Sequence, residues 1–254
     1  MRVLVTRPAA QAAEWTHALR DSGVDAVALP LIAIGPAPDP DAVHAAWDAL
    51  AGQRLVVFAS PNAAERFFAL RPAAAGWPAV VRAASIGPGT SATLRRLGVP
   101  AAQLVEPDGA SRQFDSEALW ARLESDDWQG ARVLLVRGDG GRPWLADTLR
   151  ARGAEVTAVA AYRRAAPAFD AAQRALLDAA LAAPARHLWF FSSSEAIDNL
   201  AAATAGADAG WPAAAALATH PRIAARARQH GFGRVAESRP TLDAVRACIQ
   251  TSTP

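Results

Sequence analysis

The feature that most constrains this chain is that it repeats itself. Arg2-Val3-Leu4-Val5-Thr6-Arg7 returns 130 positions later as Arg132-Val133-Leu134-Leu135-Val136-Arg137, and at the same offset Leu19-Arg20 meets Leu149-Arg150 and Gly23 meets Gly153. Each copy reads as an apolar, β-branched strand, a loop, an amphipathic helix stopped by glycine, and a second strand, residues 26–29 in one copy and 156–159 in the other. At an offset of 133, Leu55-Val56-Val57-Phe58-Ala59-Ser60-Pro61-Asn62-Ala63 meets Leu188-Trp189-Phe190-Phe191-Ser192-Ser193-Ser194-Glu195-Ala196. Residues 85–90 then fall opposite 218–223, and Gly98 and Gly231 close the helices that follow. Few of these identities are alanine, so the alanine-rich composition does not generate them. The expected history is an internal duplication.

Within each copy strand alternates with helix, and the strands are apolar throughout rather than at every second residue. That pattern implies an α/β protein of two similar domains, each a parallel sheet covered by helices on both faces. Ligands of such sheets sit beyond the carboxyl ends of the strands, where helix N-termini present free N–H groups. Proline-bearing stretches at Ile34-Gly35-Pro36-Ala37-Pro38-Asp39-Pro40 and Arg163-Arg164-Ala165-Ala166-Pro167 read as extended crossovers near 35–37 and 164–166. The expected division is therefore a discontinuous domain of residues 1–34 plus 167–254 and an inserted domain of residues 38–163.

Composition narrows the function classes. Hydrophobic residues make up 52% and charged residues 20%, and no stretch approaches the ~20 consecutive apolar residues of a membrane span. The N-terminal Met1-Arg2-Val3-Leu4-Val5-Thr6 enters a strand at once, without the apolar core of a signal peptide. A single cysteine, Cys248, excludes an internal disulfide and a cysteine-rich metal site. These features point to a cytoplasmic protein. All 26 basic side chains are arginine, yet the net charge is only +2. The arginines are spread along the chain and balanced by acids, which speaks against a nucleic-acid partner. Arginine is also the better fork for carboxylates and phosphates.

No cofactor or metal motif survives inspection. Ile86-Gly87-Pro88-Gly89-Thr90 lacks the third glycine of a dinucleotide fingerprint, and no G-K-[ST] follows the glycine-rich Arg137-Gly138-Asp139-Gly140-Gly141-Arg142. Both read as tight strand-to-helix turns or as anion-binding turns. The histidines, His17, His44, His187, His220 and His230, share no ligand spacing with one another or with Cys248. His187 falls at a strand entrance and His17 and His230 on helices, whereas His220 stands at a junction where it can meet a ligand. No G-x-S-x-G elbow appears. What remains at the strand ends is a set of hydroxyls, amides and arginines: Thr6, Arg7, Ser60, Asn62, Ser85, Gly87, Thr90, Arg137, Gly138, Ser193, Thr219 and His220. Helix capping explains some of the serines and threonines. As a group they suit a polyanionic small molecule held in a defined shape, without cofactor or metal. The sole tyrosine, Tyr162, ends an alanine-rich apolar run just before Arg163-Arg164, and at the offset of 130 its counterpart is Ile32.

These motifs in this order resemble the uroporphyrinogen-III synthase family. They are Val3-Leu4-Val5-Thr6-Arg7-Pro8, Pro30-Leu31-Ile32, residues 58–63 (F-A-S-P-N-A), residues 85–90 (S-I-G-P-G-T), Val159-Ala160-Ala161-Tyr162-Arg163, residues 191–197 (F-S-S-S-E-A-I) and residues 218–224 (A-T-H-P-R-I-A). The resemblance implies two α/β domains joined by a two-stranded connection, with the active site in a cleft between them. It implies a cytoplasmic, monomeric, cofactor-free lyase of tetrapyrrole and heme biosynthesis. Its substrate is hydroxymethylbilane, a linear tetrapyrrole carrying eight carboxylates. The enzyme removes the terminal hydroxyl and closes the macrocycle with inversion of the last pyrrole ring. The position of Tyr162 matches a family tyrosine near the cleft, a candidate for assisting loss of the hydroxyl. The competing expectation is a two-lobed small-molecule binding or sensing protein that closes on a ligand without chemistry.

Overall fold

The structure is a computed structural model that describes residues 1–252 apart from 110, 112 and 207–209. The chain divides into two compact units, Met1–Ala33 with Ala165–Pro254, and Ile34–Arg164.

The first unit contains β1 (Arg2–Val5), α1 (Ala9–Asp21) and β2 (Ala26–Ala28). After the second unit it continues with α7 (Ala171–Ala182), β9 (His187–Phe191), α8 (Ser194–Ala203), β10 (Ala215–Ala218), α9 (Pro221–His230), β11 (Arg234–Glu237) and α10 (Leu242–Ser252). The second unit runs β3 (Ala33–Gly35), α2 (Pro40–Asp48), β4 (Leu55–Phe58), α3 (Pro61–Ala69), β5 (Arg82–Ser85), α4 (Pro88–Arg96) and β6 (Leu104–Val105). It closes with α5 (Ser116–Trp120), β7 (Arg132–Gly138), α6 (Trp144–Ala151) and β8 (Glu155–Ala165).

The strand orders are β11-β10-β9-β1-β2 in the first sheet and β3-β8-β7-β4-β5-β6 in the second. Read outward from β6, the second sheet repeats the order of the first and adds β3 at its edge. The registers coincide residue by residue. Val3 pairs with Ala26 and Leu188 in one sheet, and Val133 with Val156 and Leu55 in the other. Leu188 pairs with Ala215 as Leu55 pairs with Arg82. All of these pairings are parallel. The passages of the chain between units lie on β3 and at the end of β8, which are sheet neighbours, and Arg163 N–H donates to the carbonyl of Pro36 at 3.2 Å.

Both faces of each sheet are buried, which is why the strands lack a two-residue period. In the second unit Val56 and Phe58 of β4 pack with Trp47 of α2, Phe67 and Phe68 of α3, and Leu94 of α4. The alternate residues Leu55 and Val57 face Leu119 of α5 and Leu145 and Leu149 of α6. In the first unit Val3, Val5, Leu188 and Phe190 pack against Ala12 and Leu19 of α1 and Val245 and Ile249 of α10. Leu4, Trp189 and Phe191, on the alternate positions, are fully buried as well. Gly23 and Gly153 end α1 and α6 with φ of 83° and 90°, a left-handed conformation that L side chains rarely adopt.

Strand β8 differs from expectation. It does not stop near residue 159 but runs through Tyr162 to Ala165. Its register against β7 slips by one residue: Arg137 pairs with Ala160, but Gly138 pairs with Tyr162. Val156 lies on the face toward α5 and α6, and strict alternation would place Tyr162 there too. The inserted residue, Ala161, returns Tyr162 to the face that holds Val159, Phe58 and α3.

Candidate active site

The sequence-selected residues occupy the carboxyl ends of the central strands of each sheet. In the second unit the constellation centres on Tyr162, whose side chain is only 5% exposed. Its hydroxyl lies 3.1 Å from Ser60 Oγ. Ser60 is the N-cap of α3, and its Oγ accepts the N–H of Ala63 at 3.1 Å. Asn62 follows in the first turn, half-buried. Gly138 lies beneath the tyrosine ring, and the Tyr162 carbonyl accepts the N–H of Asp139 at 3.0 Å. Arg137, one residue earlier on β7, is half-buried and makes no ion pair among the described residues. The N-termini of α3 and α4 adjoin, since a Cβ on Gly89 would stand 3.7 Å from Pro61. Gly87 is the N-cap of α4 and has no side chain to satisfy the first-turn amides.

Two residues of the set in this unit are buried at the β5–α4 junction. Ser85, fully buried, shares a 2.6 Å hydrogen bond with Ser91 Oγ. Thr90 is buried within the first turn of α4, at 3% exposure. The Ser85 hydroxyl thus ties β5 to the first turn of α4.

The first unit assembles Thr6, Arg7, Ser193, Thr219 and His220 at the ends of β1, β9 and β10. The Thr6 hydroxyl donates to the carbonyl of Phe190 at 2.7 Å and is buried, so it staples β1 to β9. Ser193 and His220 cap α8 and α9: Ser193 Oγ accepts from Glu195 N–H at 3.2 Å, and His220 Nδ1 accepts from Arg222 N–H at 3.1 Å. Nδ1 is therefore the unprotonated nitrogen in this geometry. Thr219 is half-buried, and its N–H donates to the Phe191 carbonyl at 3.1 Å. Arg7 lies over the ring of Trp15, with Cζ 4.4 Å from the centroid. Burial pushes its pKa down to about 10, an effect that the charge of Glu14 opposes.

The family model described as uroporphyrinogen-III synthase HemD matches residues 13–246. The chain belongs to the uroporphyrinogen-III synthase family. It is 34% identical over 178 residues to the uroporphyrinogen-III synthase of Escherichia coli, covering 69% of this chain and 70% of that one. Against the uroporphyrinogen-III synthase of Proteus mirabilis it is 30% identical over 165 residues, covering 65% of this chain and 80% of that one. Among solved structures, a mutant uroporphyrinogen III synthase from Thermus thermophilus matches with a TM-score of 0.61 at 18% identity, covering 99% of this chain and 98% of that one. The uroporphyrinogen-III synthetase of Helicobacter pylori matches with a TM-score of 0.57 at 15% identity, covering 99% of both chains. At these identities the structural matches speak for the fold.

Five of the seven motifs that carry the resemblance to the uroporphyrinogen-III synthase family thus fall on strand-to-helix junctions of the two units; Pro30–Ile32 lies between β2 and β3, and Val159–Arg163 lies within β8. Sequence reasoning selected Ser60 and Tyr162 separately and missed their contact. The residue that joins them, the inserted Ala161, is one alanine in an alanine-rich run and carries no signal. It also missed Gln11 and Trp15, the two neighbours of Arg7 on α1. Their spacing of four residues from Arg7 onward was the available clue. Among the described residues no group of three His, Cys, Asp or Glu could hold a metal ion, and no helix is long and apolar enough to cross a membrane.

Proposed function

We propose that this chain converts linear hydroxymethylbilane to uroporphyrinogen III, with loss of water and inversion of the terminal pyrrole ring. Family membership supports the reaction. The relatives that match over 70–80% of their own length carry the name of an enzyme, which favours turnover over a non-catalytic binding protein. The proposal extends to a cytoplasmic monomer working without a cofactor. We also infer that the two units descend from one ancestral half. The support is the coincidence of strand order and register at the offsets that relate the repeated segments.

The observation that carries the chemistry is the Ser60–Tyr162 contact. Ser60 Oγ receives one hydrogen bond from the first turn of α3. With that lone pair occupied and the helix N-terminus favouring electron density on Oγ, Ser60 can donate its own proton to Tyr162 Oη. The phenol proton is then free to point at a leaving hydroxyl. In this reading Tyr162 protonates the terminal hydroxyl as its C–O bond breaks, water departs, and the cationic pyrrole is left to close on the far end of the bilane. An ordinary phenol, with pKa ~10, carries this proton at neutral pH. The arginines and helix N-termini hold the substrate's carboxylates, and their placement sets which end of the last ring is attacked.

The test is incubation of the purified protein with freshly generated hydroxymethylbilane, followed by separation of the uroporphyrinogen isomers. Isomer III is expected. Isomer I alone, at the spontaneous rate, overturns the reading.

A further inference from the structure

We propose that Arg7 and Gln11 together form a binding site for one carboxylate of the substrate, with Trp15 holding the arginine in place. The inference rests on the reaction proposed above and adds to it a site at the β1–α1 junction. Arg7 Nη1 donates to Gln11 Oε1 at 3.3 Å. Two donor nitrogens of the same pair are left over: Arg7 Nε and Gln11 Nε2 are both buried, and neither has a hydrogen-bond partner. Reversing the Gln11 amide does not help, because its NH2 would then face the guanidinium, which has only donors. Two adjacent buried groups therefore offer N–H with no acceptor between them. Such groups normally find a partner, and leaving one unmatched costs about 1–3 kcal/mol, more when it is charged.

The surroundings select the missing partner. No ion pair joins Arg7 among the described residues. Its guanidinium lies against both Trp15 and Phe190, with Cζ 4.4 Å and 5.8 Å from their ring centroids, which are themselves 5.1 Å apart. Burial without a bound counter-charge accounts for the lowered affinity of this arginine for its proton. Helix α1 starts two residues later. Its N-cap, Pro8, makes no side-chain cap and its first turn holds no acid, so its amide ends add positive potential. Gln11 and Trp15, four residues apart on α1, share one side of the helix, and Arg7 precedes its first turn and reaches both. A forked, acceptor-only anion matches two unpaired donors on hydrogen-bonded neighbouring side chains, one of them a cation, and a carboxylate is such a group.

The site is tested with Gln11→Glu and Gln11→Leu. Gln11→Glu gives Arg7 a carboxylate of the protein's own, so it competes with the substrate for the guanidinium. Gln11→Leu removes one donor and one buried orphan. The expected result is an increase of about tenfold in KM for hydroxymethylbilane in both variants, the worth of one hydrogen bond to a charged group. The expected kcat changes less than KM, and the Tm of Gln11→Glu rises. The same ratio is expected in the Kd of uroporphyrin III, a stable octacarboxylate, followed by tryptophan fluorescence. This second arm needs no turnover, so it separates failure of this site from failure of the proposed reaction. Unchanged KM and Kd overturn the proposal, as does a fall in Tm with both constants unmoved, which would make Gln11 a packing residue.

Discussion

A Cβ added to Gly138 would stand 2.9 Å from Cζ of Tyr162 and 3.2 Å from its hydroxyl oxygen, so the aromatic ring fills the space that this glycine leaves open. The two residues are paired across β7 and β8 where the register slips. Gly138→Ala must push the ring from its place beside Ser60. The expected loss of stability is about 1–3 kcal/mol, as for overpacking in a close-packed core. A several-fold fall in kcat should accompany it. Thermal unfolding and initial rates read the two effects, and a variant with unchanged kcat would detach the ring's position from the chemistry.

Tyr162→Phe keeps the ring and removes the hydroxyl. One neutral hydrogen bond is lost, about 0.5–1.5 kcal/mol of stability. If the phenol supplies the proton, kcat falls about 100-fold, the lower end of general acid catalysis. Folding of the bilane by the remaining site can hold the loss to a smaller factor. Ser60→Ala should reduce kcat in the same direction and also destabilise α3 by about 1 kcal/mol through loss of its cap. Full kcat with an unaltered isomer ratio in Tyr162→Phe removes the tyrosine from the mechanism.

The fold was legible because the repeated segments carry it twice. Val3 and Val133, or Leu55 and Leu188, occupy equivalent registers, so the offsets of 130 and 133 translate directly into sheet pairings. The strand-to-helix junctions were legible for the same reason. Which hydroxyls remain available was not. Thr6 and Ser85 sit at junctions like Ser60 and Ser193, yet their hydroxyls are spent on Phe190 and Ser91 inside the fold. That outcome depends on which way a side chain turns after the last strand residue. The placement of Tyr162 depends on one inserted alanine, and the environment of Arg7 depends on a tryptophan two helical turns away. Composition and spacing fix neither.

Arg7 predicts an unusual pH dependence of stability. Its pKa falls from the ordinary arginine value to about 10 in the folded protein, so the folded state disfavours the charged form. At neutral pH the guanidinium is charged in both states and the burden on folding is full, about 3 kcal/mol. Above about pH 10 the unfolded state holds more protons, stability gains with pH, and the burden fades. Arg7→Leu should therefore raise the stability of the ligand-free protein at pH 7. Part of the gain is offset by loss of the contact with Trp15, about 0.5–1 kcal/mol. The gain should hold constant across the neutral range and shrink above about pH 10. Denaturant titrations at a series of pH values measure it, and a loss of stability at neutral pH contradicts the assignment.

His230 acts in the opposite pH range. Its ring lies 4.6 Å from that of Trp211 and 5.7 Å from that of Phe232, and its Nε2 is buried without a partner. Burial, then the charge of Arg226, push its pKa below the ordinary histidine value, against a smaller opposing pull from Asp198. The unfolded chain thus takes up the proton first as pH falls, and stability drops through the usual histidine range. His230→Phe should flatten this part of the profile. An unchanged acid slope in His230→Phe would assign it to another group.

The most direct test of the central claim is the fraction of isomer III formed from hydroxymethylbilane as a function of protein concentration. Spontaneous closure yields isomer I at a rate independent of the protein. An enzyme that guides inversion competes with it, so the fraction of isomer III should climb from near zero toward one as protein is added. A fraction that stays at the protein-free value across the titration contradicts the account.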